Sequence, residues 1–317
     1  MYNKKKINLL FEFKNKDYFN LFKKYFFEIK NIFVTFNTHP LTKKNIGFAI
    51  LKYFYYQFVL YFVCESITVK WIKDAKLKIR KNDKSLKANI FLGGLQEYNE
   101  MMFLLNYLTA NKHFYDIGAN QGSYTILASK VIGSETFSVE PVLKDFKKLE
   151  EQIKLNNVNH LVKTYNCGLS DKIGELNFTS NIEGANRVSF KKSQNTCKVH
   201  VSTLDSFFKL KKPSLIKIDV EGFEYFILKG GRQFFRSKYC EALIIELNGS
   251  GEQFGIKDQN IHQYLLDQDF IVIEFDCIKN KIIKKNNFNS GTNNIYIKKS
   301  YFKIIQSQIK INKINYL

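Results

Sequence analysis

The sequence predicts an α/β fold, a doubly wound, seven-stranded and mainly parallel sheet preceded by a helical extension. Three observations carry this expectation. From residue 113 onward, short apolar runs alternate with helical stretches at the spacing of a parallel sheet. Residues 114–124, Phe-Tyr-Asp-Ile-Gly-Ala-Asn-Gln-Gly-Ser-Tyr, join a strand to a helix through a glycine turn. A polar group also closes strand after strand, which is more than a sheet needs in order to fold.

In chain order, residues 1–65 read as a basic, aromatic-rich helical extension. Apolar side chains at Tyr18, Phe22, Tyr25, Phe26, Ile29, Phe33 and Phe36 repeat at helical spacing, and His39-Pro40 ends the pattern. A second helix is predicted over about 45–63. Its stretch Ala49 to Cys64 is strongly aromatic, but Lys52 and Gln57 interrupt it, and it falls short of the ~20 residues of a membrane span. Core packing is the expected role of both helices, with a seat on a membrane surface as the alternative. The apolar run Ile7 to Phe11 is too short for a signal-peptide core.

Ile67–Trp71 and Lys76–Arg80 read as short strands, Gly93-Gly94 as a turn and Glu97–Leu108 as a helix. Strands follow at 113–117, 136–140, 161–166, 214–219, 242–247, 270–275 and 294–298. Helices are expected at 122–132 with Gly133 as the stop, at 142–156, at 203–209, at 222–229 continuing to about 235, and at 258–267 with Asp258 as N-cap. An insertion, 171–202, carries strand-like pieces at 175–179 and 198–202, and Lys284–Asn294 is a polar stretch.

The formal charge of +20 invites a nucleic-acid reading, but its distribution argues against one. Residues 1–100 carry +11 and residues 277–317 carry +9, so 101–276 are neutral. Four of the 49 basic residues are Arg, whereas base and phosphate recognition draws on Arg forks. The five cysteines are widely spaced with no C-x-x-C pair, so neither a zinc knuckle nor a disulfide framework is indicated, and a reducing cytoplasm is expected.

Within the neutral core, Gly118 and Gly122 let the backbone approach a ligand, and Asn120 tolerates the left-handed turn between them. Asp116 lies too close to the turn to reach a dinucleotide ribose, and is suited to accept from an ammonium group. A second acid, Glu140, closes the next strand. A dinucleotide fingerprint has G-x-G-x-x-G with its acid about 20 residues later, whereas this turn is D-x-G-x-N-x-G. Two acids at successive strand ends suit a ligand with a cationic amino-acid end and a ribose diol, both of which S-adenosylmethionine has.

Further on, Val139-Glu140-Pro141, Cys167-Gly168-Leu-Ser-Asp171, Val201-Ser-Thr-Leu204-Asp205 and above all Leu215-Ile-Lys-Ile-Asp219-Val-Glu221-Gly222-Phe-Glu224 complete the pattern. Taken with the first turn, these pieces resemble the FkbM-type family of class I S-adenosylmethionine-dependent methyltransferases, over about 90–300. The resemblance implies a Rossmann-like methyltransferase domain at 66–300, with a core at 110–300; residues 301–317, outside it, read as a basic tail. It implies that Asp116, Gly118, Asn120 and Gly122, with Ser123 beside them, line the methionine end of the cofactor. Glu140 is then expected at the ribose hydroxyls, Ser170 or Asp171 near the adenine, and Asp219 beside the reactive methyl. Family members mostly methylate hydroxyl oxygens of sugars and other natural products.

An alcohol acceptor must lose its proton, and Asp219 and Glu221 are the candidate bases. Glu221 is equally readable as a helix N-terminal charge. Asp219, Glu246 and Asn248 offer oxygens suited to Mg²⁺, although the spacing does not demand a metal. The 180–197 loop, with Asn186 and Arg187, is a candidate cover for the acceptor. His113 and His200 are expected to be scaffold residues. The expected partner is a small-molecule or glycan acceptor, with peripheral contact at the inner membrane face through the N-terminal helices. The alternatives are an RNA methyltransferase gripping its substrate with the basic flanks, and a membrane-docked protein with weak or no catalysis. Against the first, the N-P-P-Y or D-P-P-Y tetrapeptide of amino-directed nucleic-acid enzymes is absent after the fourth strand.

Overall fold

The structure, a computed structural model, describes residues 30–180, 186–190, 195–207, 211–236 and 240–309. The predicted helical stripe before residue 30 lies outside the described residues. Its end is present, since residues 30–38 are helical and Phe36 is buried.

Thirteen strands are described: β1 (Ser66–Lys70), β2 (Lys76–Arg80), β3 (His113–Ile117), β4 (Glu135–Val139), β5 (Val162–Tyr165), β6 (Gly168–Ser170), β7 (Gly174–Thr179), β8 (Thr196–Thr203), β9 (Leu215–Ile218), β10 (Ala242–Leu247), β11 (Phe270–Asp276), β12 (Lys281–Lys284) and β13 (Thr292–Lys298). The main sheet runs β12-β11-β13-β10-β9-β3-β4-β5. Its five strands from β10 to β5 are parallel, and β13, β11 and β12 are added antiparallel. The seven expected strands are all present, and an eighth, Lys-Ile-Ile-Lys, adds an edge. It begins just before the polar stretch at 284–294 and hides there because Ile282 alone of its four residues is buried.

The strand-order switch falls between β3 and β9. From β3 the chain winds outward through β4 and β5, whereas β9 and β10 build the other half. A crevice must open beyond the carboxyl ends of β3 and β9, because the helices that follow them diverge. Side chains alternate across this sheet with period two. Tyr115, Ile117, Ile216, Ile218, Leu243 and Ile245 face one apolar cluster. Phe114, Leu215, Ala242 and Ile244 face the other. Continuing the second face toward the carboxyl ends gives Asp116, Lys217, Asp219 and Glu246, so the polar residues stack in one column where the core stops.

The helices follow closely. They span Tyr98–Tyr107, Ser123–Ile126 continuing as a π-helix to Ile132, Leu143–Leu155, Leu204–Phe207, Glu224–Lys229, Arg232–Arg236 and Asp258–Asp267. Gly133 closes the second of these at φ +85°. A helix at Lys84–Phe91 is an addition to the expected set. Asp258 is the first residue of its helix rather than the cap. Lys257 holds the cap position, and the Asp258 carboxylate accepts from the Gly249 N–H at 3.0 Å.

The β1–β2 ribbon joins the core through two side-chain amides at the C-terminal end of the Leu143–Leu155 helix, Gln152 within it and Asn156 at its cap. Gln152 exchanges hydrogen bonds with the Lys78 N–H and C=O at 3.0 and 2.8 Å, and Asn156 does the same with Lys76 at 2.8 and 2.9 Å. These bonds satisfy an edge that sheet pairing leaves open. The insertion's β7 and β8 join β6 in a three-stranded sheet, β6-β8-β7, over a small apolar cluster including Val142, Phe178, Val188 and Phe223.

The helix predicted over 45–63 forms at Ile46–Phe58 and continues as a π-helix at Val59–Val63, but it is not packed as expected. Ala49 and Leu60 are buried, while Phe48, Leu51, Phe54, Tyr55, Phe58, Tyr61, Phe62 and Val63 are exposed. Apart from Lys52 and Gln57, both half-buried, the segment is apolar, and the core covers one side of it.

Candidate active site

A cavity of about 180 Å³ opens at the switch point. It is lined by Asp116, Gly118, Asn120, Ser123, Glu140, Asp219, Glu221 and Glu246 from the expected set. Gly122, Ser170, Asp171 and Asn248 do not line it. Gly122 instead lets the following helix pack on Leu149, whose Cδ1 would lie 2.7 Å from an added Cβ. Ser170 and Asp171 were expected near the adenine, but β6 leaves the main sheet here. The Ser170 hydroxyl bonds to Asp171 at 3.0 Å, and its carbonyl packs against Gly230. The Asn248 amide oxygen is taken by the Ser250 N–H at 2.8 Å.

The turn after β3 has the backbone its residues allow. Gly118 has φ +79° and Asn120 has φ +49°. Gly118 lies directly against the Asp219 backbone carbonyl, so the loops after β3 and β9 touch and no Cβ fits between them. Glu140 accepts from the Asn120 N–H at 2.9 Å and from the Val142 N–H at 2.8 Å. It thereby ties the first turn to the end of β4, and each of its oxygens keeps a lone pair for a ligand hydroxyl. Asp116 is buried and accepts from the Thr125 hydroxyl at 2.6 Å. Burial raises its carboxyl above the usual range.

Lys217 is the cation of the site. Its Nζ donates to Asp219 at 2.6 Å and lies 4.8 Å from the centre of the Tyr124 ring. Burial alone lowers an ammonium, but the carboxylates of Asp219, Glu97 and Asp116 outweigh it and hold Lys217 protonated. Tyr124 in turn donates to Glu97 at 2.6 Å. Neither Lys217 nor Glu97 was among the expected site residues. For Lys217 a signal existed, because residues two apart in a strand share a face and Lys217 therefore points where Asp219 points.

Seven carboxylates (Glu97, Asp116, Glu140, Asp145, Asp219, Glu221, Glu246) thus surround one lysine among the described lining residues. Carboxylate oxygens of Asp219, Glu221 and Glu246 lie within 4.8 Å of one another. Glu221 replaces Asn248 in the expected trio, and the acids crowd like charge as well as offer ligand atoms. Burial, then Asp219, raises Glu221 to about 7. Burial raises Glu140 to about 8, and Glu246 is raised by burial and by its three acidic neighbours. Glu224 donates nothing to the cavity. It accepts from the Val220 and Gly222 N–H groups at 3.0 and 3.1 Å, and so shapes the loop.

A second, apolar slot adjoins this cavity and shares Gly118, Pro141, Phe178 and Val220 with it. It is lined by Cys167, Gly168, Leu169, Val188 and Phe223 as well, and at about 10 Å³ it has room for one water. From the 180–197 loop, Asn186 reaches the polar cavity and donates to Asp145 at 2.9 Å. Residues 181–185 and 191–194 of that loop lie outside the described residues. His113 sits near the Lys212 carbonyl and Glu135 at the far end of β3, and His200 is exposed on β8.

The raised acids predict how stability responds to pH. Glu140, Glu221 and Glu224 sit at about 8, 7 and 7 against 4.5 when unperturbed, so the folded state holds more protons than the unfolded chain. Their contribution is full below 4.5 and is lost as pH rises to about 8. The thermal midpoint without ligand is therefore expected to fall between about pH 5 and pH 8.5. A midpoint that stays level or rises over that range contradicts the burial of these groups.

A mainly parallel doubly wound sheet, with acids at the ends of its first two core strands, is the architecture of the class I methyltransferases. Residues 116–272 match the family described as the methyltransferase FkbM domain, and this segment of the chain belongs to that family. Over 137 residues the chain is 26% identical to the hexuronic acid methyltransferase AglP of Haloferax volcanii, a match covering 42% of this chain and 56% of that protein. Among solved structures, M. jannaschii TYW2 in complex with AdoMet superposes with a TM-score of 0.41 at 13% identity, over 75% of this chain and 86% of its own. A precorrin-6y C5,15-methyltransferase from Geobacter metallireducens gives 0.36 at 14% identity, over 63% and 86%.

Proposed function

We propose that the protein is an S-adenosylmethionine-dependent methyltransferase that methylates a hydroxyl oxygen of a sugar or glycan. The observation that carries this reading is the acid-lined cavity at the switch point of the sheet, where Asp116, the turn at Gly118–Asn120 and Glu140 meet Asp219 and Glu221. The residues fit the donor. Asp116 and the turn at Gly118–Asn120 suit its amino-acid end, and the free lone pairs of Glu140 suit a ribose diol. When bound, this donor supplies a sulfonium-activated methyl group, so most of the acceleration comes from alignment.

The protein's own part is to orient the acceptor and move one proton. Glu221 is assigned as the group that takes the hydroxyl proton, and Asp219, held by Lys217, fixes the floor beneath it. Asn186 and the β7–β8 arm shield this chemistry from water. The likeness to a hexuronic acid methyltransferase supports a sugar acceptor. Titration calorimetry with S-adenosylmethionine and S-adenosylhomocysteine tests the donor, and absence of binding of either would sink the reading. For the acceptor, surface glycans from a strain lacking the protein are expected to be lighter by one methylation. Unchanged glycan masses remove the sugar assignment and leave the donor assignment standing.

A further inference from the structure

We propose that the exposed face of the Ile46–Val63 helix docks on an anionic lipid bilayer, with the helix lying in the plane of the headgroups. The proposal concerns an interaction surface and does not depend on the chemistry assigned to the crevice.

The segment is 18 residues long with a mean hydropathy of 1.4, and 11% of it is buried. A helix this apolar, interrupted by Lys52 and Gln57 alone, belongs in a core or a membrane. Here one side is already seated. Tyr53 packs edge-on against Phe91 and Phe36, with ring centres 4.8 and 6.2 Å apart, and Ala49 and Leu60 are buried beside it. By length and composition the helix could also cross a membrane, but this seat holds one side of it against the core, which favours an in-plane position. The other side is free: Phe48, Leu51, Tyr55, Phe58 and Phe62 recur at intervals of three and four and form one stripe about 20 Å long. Phe62 is 77% exposed, Leu51 68% and Phe58 59%, values at which a large apolar side chain gains nothing from the fold.

Charge selects the occupant. Between Leu41 and Cys64 the chain has three lysines and no acid. Lys43 and Lys44 are exposed at the start of the helix. At its other end Lys81 and Lys144 line the cleft beside Leu60–Cys64, facing Glu65 there, and the Lys81 ammonium sits 3.5 Å over the Tyr61 ring. An apolar, aromatic middle with basic ends matches acyl chains flanked by anionic headgroups. A second copy of this chain would bring basic ends against basic ends, since a two-fold interface pairs each surface with itself.

The test is co-sedimentation of the full-length protein with vesicles of phosphatidylcholine alone or with one third phosphatidylglycerol. The expected result is at least tenfold stronger partitioning onto the anionic vesicles, weakening as salt rises. Phe58→Glu with Phe62→Glu is expected to lower that partitioning more than tenfold with the thermal midpoint unchanged, because both rings are exposed. Lys43→Glu with Lys44→Glu is expected to lower it by roughly tenfold. The proposal is overturned if the wild type ignores anionic vesicles at low salt, or binds neutral vesicles equally. It is also overturned if the phenylalanine variant binds undiminished. A stable dimer in light scattering that the phenylalanine variant dissociates assigns the face to a second copy, and overturns it too.

Discussion

Glu221→Gln is expected to slow methyl transfer by roughly 10²–10⁴-fold while donor binding persists. Glu221 sits at φ +57° and Gly222 at +105°, so the chain turns sharply where β9 ends. A glutamate in the left-handed region costs roughly 1–2 kcal/mol, and such strain is kept where it aims a side chain. The glutamine keeps the size and turn of the native residue and loses the basic lone pair. The pH profile separates a base from a structural charge. Glu221 is raised to about 7, so the carboxylate form accumulates as pH rises through that value. The wild-type rate is therefore expected to climb tenfold per pH unit below about 7 and then level off. The Gln variant should lack this limb. An unchanged limb in the variant would assign the proton transfer elsewhere.

Gly118→Ala is expected to lower stability by about 3 kcal/mol or more and to abolish donor binding. Two effects combine. The φ of +79° penalises any side chain, and the added methyl lands on the Asp219 backbone carbonyl, which cannot swing aside as a side-chain tip can. Relief requires separating the loops after β3 and β9, which together form the crevice floor. Gly249→Ala is the matched control, since its φ is +78° but an added Cβ meets nothing within 4 Å. That variant should lose about 1 kcal/mol and keep its affinity for the donor. If the two variants lose the same stability and both bind the donor, the contact between loops is unimportant.

What the sequence made legible was local and periodic. Asp116, Gly118, Asn120 and Glu140 could be placed because a strand end followed by a glycine turn has few physical solutions, and the cavity gathers all four. Lys217 was harder, because one lysine among Leu-Ile-Ile looks like a solvated interruption until its partner two residues on is considered. Ser170 and Asp171 misled because a strand end in the sequence does not say which sheet the next residues join, and β6 joins the small one. Asn248 misled because an amide at a strand end can spend its oxygen on its own turn, as this one does with Ser250. The burial of the Ile46–Val63 helix was illegible for another reason. With apolar residues nearly all round, broken at Lys52 and Gln57, its pattern names no preferred face, and tertiary packing decides which side is covered.

The seven acids around Lys217 have a consequence for traffic through the crevice. With several of them neutralised by protons, the empty pocket behaves as a loaded ion exchanger. An incoming sulfonium is one cation displacing others, so donor capture should release protons into the buffer near neutral pH and tighten as the medium turns alkaline. The spent thioether carries no such charge, so it cannot hold the exchanged sites, and protons reclaim them as it leaves. Heats of donor binding compared across buffers of different ionisation enthalpy would read that exchange directly. The direction of the catalytic cycle would then rest partly on the pocket's preference for a charged cargo over a discharged one.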